Sequence, residues 1–160
     1  MLMVFVAMLV ALVWIAPVER VNQSPETLIQ PIVALAGLTA IVALMMLAYR
    51  NFSLVRGTVT LRYFQAYTAE APAERIERPS RAYMNLLELP VLFYLVCVLM
   101  LITGKFDAVQ VSLAWIFVST RFVHAFIHIG FNHVPFRFTA FLAGFITLIV
   151  IWTRFASQNL

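Results

Sequence analysis

RAYMNLLELPVLFYLVCVLMLIT, residues 81–103, decides the fold. From Leu89 to Thr103 it carries no charged residue, and its apolar positions run on without alternating. That is the signature of a helix across a hydrocarbon core of roughly 30 Å, which takes about 20 residues. Its first half carries Arg81, Asn85 and Glu88. A carboxylate inside a membrane is costly, so intramembrane ionisable groups face a partner or a wet cavity.

The rest of the chain fits that reading. Of 160 residues, 63% are hydrophobic and 11% are charged. A soluble domain of this size could not cover so much apolar surface. Long unbroken stretches read as helices and not as the alternating strands of a barrel. The expected class is an all-α integral membrane protein built as a bundle of four transmembrane helices. The spans run from about Pro25 to Arg50, Pro79 to Thr103, Ala108 to Gly130 and Val134 to Phe155. The first has a marked start, with Ser24 as N-cap, Pro25 at the first helical position and Glu26 in the first turn. The single cysteine, Cys97, lies in mid-helix and reads as a small buried apolar residue.

Met1 to Ala16 is another apolar run, slightly short for a span. It has no Lys or Arg before it and so lacks the basic region of a signal peptide. It reads either as an extra N-terminal hydrophobic helix or as a processed or interfacial segment. The chain divides into 1–24, a hydrophobic segment and linker; 25–156, the transmembrane domain; and 157–160, a tail. The loop over 50–81 holds Arg50, Arg56, Arg62, Arg75, Arg78 and Arg81 against Glu70, Glu74 and Glu77. The positive-inside rule puts this loop and the 131–136 turn in the cytoplasm. The loop's arginines suit anionic lipid. They lack the density of a nucleic-acid patch, and no Gly-rich phosphate loop is present.

On a helical wheel Arg81, Asn85 and Glu88 fall within an arc of roughly 60°. Arg121, His124 and His128 on the third span do the same. Arg137 opens the fourth span, and Arg50 ends the first. Three helices thus direct polar groups to the cytoplasmic half of the bundle. Such a cavity suits a small zwitterion with several carboxylates: arginines pair the carboxylates and Glu88 pairs an ammonium. The greasy remainder suits an apolar co-substrate. The structural alternative is that Glu88 only bridges Arg81 or Arg121 and pins helix packing. His124 and His128 have the spacing of metal ligands, but three histidines are too few for a membrane di-iron centre, and no metal is expected. Pro90 removes a backbone bond just past Glu88, which opens a cleft or serves packing. Ala36 and Ala40, and Ala140 and Gly144, suit close helix contacts and oligomerisation.

The pattern Arg81-x-x-x-Asn85-x-x-Glu88, followed by Pro90, resembles the second-helix signature of the MAPEG family, the membrane-associated proteins in eicosanoid and glutathione metabolism. Arg121-x-x-His124 and Arg137 resemble that family's third and fourth helices. The resemblance covers about residues 25 to 156. It implies a left-handed four-helix bundle in a homotrimer, with glutathione as co-substrate between neighbouring protomers. It carries glutathione binding to Asn85 and Glu88, to the nearest matching arginines Arg50, Arg81 and Arg137, and to His124. It implies that a nearby arginine, here Arg137, or a hydroxyl donor stabilises the glutathione thiolate, which attacks a lipophilic electrophile or peroxide. Arg121 and His128 complete the candidate ligand-binding set.

This chain departs from the pattern at several positions. Met84 stands where a basic residue is frequent, and His128 where a tyrosine is common. Phe138 and Phe141 stand where a serine and a tyrosine can occur. Arg137 remains as thiolate stabiliser, and Tyr83 offers a substitute hydroxyl. Two function classes follow. One is a glutathione-dependent transferase or peroxidase acting on lipophilic small molecules. The other is a non-catalytic membrane protein that binds lipid or serves as an accessory subunit of a membrane complex.

Overall fold

The computed structural model describes residues 23–60, 63 and 74–159. The Met1 to Ala16 run lies outside the described residues, as do Arg62, Glu70 and most of the basic loop. Four long helices lie among the described residues: α1 (Pro25–Val55), α2 (Glu74–Thr103), α3 (Ala108–Ile129) and α4 (Val134–Asn159). All four are long and apolar enough to cross a membrane. The shortest, α3, has 22 residues and so measures about 33 Å. No strand occurs among the described residues. The protein is an integral, multi-pass membrane protein.

The spans lie where the apolar runs put them, but three of them extend past the hydrocarbon segment. α1 continues from Arg50 to Val55, α2 starts at Glu74 instead of Pro79, and α4 runs to Asn159. The extra turns of α2 and α4 are largely polar and carry local bonds such as the Arg78–Glu74 pair, Nε to Oε1 3.3 Å, whereas that of α1 still carries Phe52, Leu54 and Val55. Apolar length reports only the part of a helix inside the bilayer. α1 ends in a two-bond cap. Thr58 N–H donates to Ser53 O and Gly57 N–H to Leu54 O, both at 3.0 Å. This closure needs a left-handed residue, and Gly57 supplies it at φ 67°. At the other end of α1, Ser24 holds the N-cap position, but its side chain makes no cap bond. Instead its carbonyl accepts from Thr27 Oγ1 at 2.7 Å. α3 has a full capping box: Gln110 N–H donates to Asp107 Oδ1 at 3.0 Å, and Asp107 N–H to Gln110 Oε1 at 3.1 Å. α2 is continuous through Pro79 and through the buried Pro90.

α2 and α3 form the centre, with α1 and α4 packed on their flanks. Between membrane helices burial against lipid gives little drive, and close packing carries the association. Phe93 of α2 stacks on Phe117 of α3 with centroids 4.7 Å apart and planes 18° apart. Both are fully buried, with Leu35 and Val42 from α1 and Leu148 and Ile151 from α4 completing the core. Cys97 is a free, buried thiol in the same core. The outward faces keep large apolar side chains exposed, among them Val33, Leu44, Val91 and Ile102, as a lipid environment requires.

Candidate functional site

At one end of the bundle the C-terminal turn of α1, the start of α2 and the α3–α4 turn come together. Arg50 Nη2 donates to Ser80 Oγ at 3.3 Å. Arg78 Nη1 donates to Gly130 O at 2.5 Å. Asn132 sits in the left-handed region, φ 50°, which asparagine tolerates better than most residues. That conformation lets its side chain bond in two directions. Its Nδ2 donates to Glu74 Oε1 at 2.6 Å, and its Oδ1 accepts from Arg137 Nη1 at 2.7 Å. A continuous chain, Gly130–Arg78–Glu74–Asn132–Arg137, therefore ties α2 to the turn and holds one arm of Arg137.

Beneath this rim lies a cavity of about 480 Å³, lined by Arg81, Met84 and Asn85 of α2, His124 and His128 of α3, and Val134, Arg137, Phe138 and Phe141 of α4. That volume lies in the range of small-molecule sites. Its chemistry is two-sided. Arg81 and Arg137 bring positive charge, while Met84, Val134, Phe138 and Phe141 form an apolar wall. Among the described residues no carboxylate and no hydroxyl lines it. Asn85 Nδ2 donates to Arg81 O at 2.9 Å, one turn back along α2. Its amide oxygen has no partner among the described residues.

The two imidazoles are buried, His124 at 5% and His128 at 3% exposure. Their rings stand edge to face, with centroids 5.7 Å apart. His124 Nδ1 lies 3.1 Å from Arg137 O. His124 Nε2 and His128 Nδ1 are buried with no hydrogen-bond partner among the described residues. No group of three His, Cys, Asp or Glu that could hold a metal occurs among the described residues.

Five of the eight candidate residues, Arg81, Asn85, His124, His128 and Arg137, thus line one cavity. Arg121, Arg50 and Glu88 do not line it. Arg121 is the largest fully buried side chain, at 1% exposure. Its Nη2 donates to Ala140 O and Phe141 O, both at 3.1 Å, and its guanidinium lies between the rings of Phe117 and Phe141. The i, i+4 pair Ala140 and Gly144 explains how α4 accepts it. A Cβ at Gly144 would collide with this guanidinium and with Thr120 Oγ1. That small-residue pair therefore seats a side chain within the protomer. Ala36 and Ala40, by contrast, are exposed.

Glu88 is exposed and makes no hydrogen bond or ion pair among the described residues. The bridge from Glu88 to Arg81 or Arg121 is not formed within the protomer. Tyr83 packs against the core and does not line the cavity.

The sequence reading took Glu74 and Arg78 only as loop charges and gave Asn132 no role, because an i, i+4 spacing finds neighbours on one helix and not partners 58 positions apart.

A family model, the MAPEG family, matches residues 28–157, which takes in nearly all of the four helices. Comparison with curated proteins and with solved structures gives no match. The chain belongs to the MAPEG family.

Proposed function

We propose that this protein binds glutathione in the cavity between α2, α3 and α4 and acts as a glutathione-dependent transferase or peroxidase on lipophilic substrates, as a homotrimer with the cavity end facing the cytoplasm. The observation that carries this reading is the pairing of Arg81, Asn85 and Arg137 with an apolar wall in one cavity. The arginines pair the carboxylates of the tripeptide through charge-assisted bonds. Asn85 accepts or donates at the peptide amides. Arg137, steadied by Asn132, stabilises the sulfur as an anion. The wall of Met84, Val134, Phe138 and Phe141 receives the apolar co-substrate.

Glu88 supports the trimer. It sits one turn deeper along α2 than Asn85, exposed on the protomer and unpaired. A bare carboxylate facing lipid there is costly. A neighbouring copy covers it and completes the site, so that Glu88 meets the ammonium of the ligand at the subunit boundary.

The test is calorimetric titration of glutathione into the purified protein in detergent, with the ultraviolet thiolate band followed in parallel. Binding with a thiolate band is expected. A folded protein that binds no glutathione overturns the reading.

One observation favours a second reading. Among the described residues no hydroxyl lines the cavity to bond a thiolate, and its two cations beside a greasy wall also suit an anionic lipid. A non-catalytic lipid-binding or accessory role follows if lipid carboxylate or phosphate binds and glutathione does not.

A further inference from the structure

We propose that His124 and Arg121 are positioning residues, which together hold the cavity turns of α4 by their main-chain carbonyls and so place Arg137 for the ligand. The placing of Arg137 for a ligand rests on the glutathione reading above. The need for such a clamp follows from where α4 buries its side chains. Its buried residues begin only at Gly144. From Val134 to Ala143 no side chain is buried, yet this stretch supplies Val134, Arg137, Phe138 and Phe141 to the cavity. A helix end with few buried contacts opens locally at little cost. Packing of its own side chains therefore does not fix this part of α4.

The third helix supplies the hold. His124 Nδ1 lies 3.1 Å from Arg137 O, and a carbonyl oxygen only accepts, so Nδ1 donates. One turn earlier on α3, Arg121 Nη2 donates to Ala140 O and to Phe141 O, both at 3.1 Å. Positions 137, 140 and 141 lie on one face of a helix. The three accepted bonds thus form a single strip along α4. Each carbonyl has two lone pairs, so it accepts from a side chain without giving up its helical bond. Gripping the backbone also leaves the side chains of the same turns to the cavity. Arg137 and Phe141 each give a carbonyl to the strip and a side chain to the lining. The other imidazole nitrogen, His124 Nε2, is buried without a partner among the described residues. The polar work of this ring is therefore turned to α4 and not to a ligand. The strip ends beside Gly144, whose missing Cβ makes room for the Arg121 guanidinium. The clamp thus reaches from the cavity rim to the point where α4 begins to pack.

The experiment uses the full chain in detergent micelles. Amide hydrogen exchange, read by mass spectrometry, follows residues 134–143, and calorimetric titration measures glutathione affinity. His124→Leu removes the donor to Arg137 O. In His124→Asn the side-chain amide nitrogen takes the place of Nδ1 and restores it. In folded His124→Leu, exchange over 134–143 should quicken and affinity should fall, each by about threefold to tenfold, the worth of one hydrogen bond. His124→Asn should recover most of both. Arg137→Gln keeps the main-chain carbonyl and removes the guanidinium. In that background His124→Leu should still quicken exchange but cost little further affinity. Unchanged exchange in folded His124→Leu overturns the clamp. An affinity loss in His124→Asn equal to that in His124→Leu makes the ring a ligand contact and overturns the positioning role. Fully additive affinity losses for His124→Leu and Arg137→Gln overturn the link to Arg137. Should His124→Leu not fold, His124→Asn decides, and faster exchange or lost affinity there counts against the proposal. A wild-type protein that binds no glutathione removes the glutathione reading, a distinct outcome, and hydrogen exchange then decides the clamp by itself.

Discussion

Arg154 Nη2 meets Asp107 Oδ2 at 2.5 Å, at the end of the bundle opposite the cavity. The two residues are 47 positions apart, and both are buried, with side chains 3% and 5% exposed. Asp107 has a second duty, because its other oxygen caps α3. One carboxylate thus starts α3 and bolts it to the last turns of α4, with Gln158 Nε2 adding a contact at 3.4 Å. Asp107→Ala removes both this buried ion pair and the N-cap of α3, and should destabilise the folded protein by about 3–5 kcal/mol. Asp107→Asn keeps an acceptor for the cap and should cost less. Thermal unfolding in detergent, with Arg154→Met and the double variant completing a cycle, gives the coupling. Additive losses would show that the pair does not act as one unit.

Gly144 and Gly37 should respond in opposite ways to the same change. A Cβ at Gly144 lands 2.6 Å from Thr120 Oγ1 and 2.8 Å from Arg121 Cζ. Gly144→Ala must therefore push Arg121 away from the Ala140 and Phe141 carbonyls, at about 1–3 kcal/mol. Gly37 meets nothing within 4 Å in the protomer. Gly37→Ala should stabilise α1 by about 0.5–1 kcal/mol, the ordinary helix cost of glycine. Equal melting temperatures for the two variants would remove the role given to Arg121.

Asn132 separates backbone strain from ligand positioning. Asn132→Ala loses both side-chain bonds and strains the left-handed φ, whereas Asn132→Gly relieves only the strain. Glycine should recover part of the lost stability, and neither variant should recover glutathione affinity if Asn132 steadies Arg137. Equal affinity in wild type and Asn132→Gly would show that Arg137 needs no such support.

Glu88→Gln discriminates ligand binding from assembly. Removing its charge should lower glutathione affinity by about tenfold to a hundredfold, the worth of a charge-assisted hydrogen bond. The proposed homotrimer should survive in size-exclusion chromatography with light scattering. Loss of the trimer with affinity kept in the remaining assembled fraction would make Glu88 a packing residue instead.

Much of the architecture was legible in order along the chain. Uninterrupted apolar runs located four spans, and the period of the helix placed Arg81 with Asn85 and His124 with His128 on common faces. Those inferences need only neighbours within two turns, and the backbone geometry of a helix is the same wherever it sits. The capping box of Asp107 and Gln110 is equally local, a D-x-x-Q spacing, but the sequence reading above did not draw it.

What the sequence by itself determined is therefore the membrane class, the four helices and the family, because bilayer thickness and helical period act on consecutive residues. Only the tertiary structure decided the fate of each polar group. Arg121 and Arg137 are both arginines on apolar helices, yet Arg121 is seated against α4 by the gap at Gly144, and Arg137 is drawn to the cavity rim by Asn132. Glu88 shares a helix face with Asn85 but lies a turn beyond the cavity and looks outward. These outcomes depend on which side chain from another helix arrives opposite, and packing between helices far apart in the chain sets that.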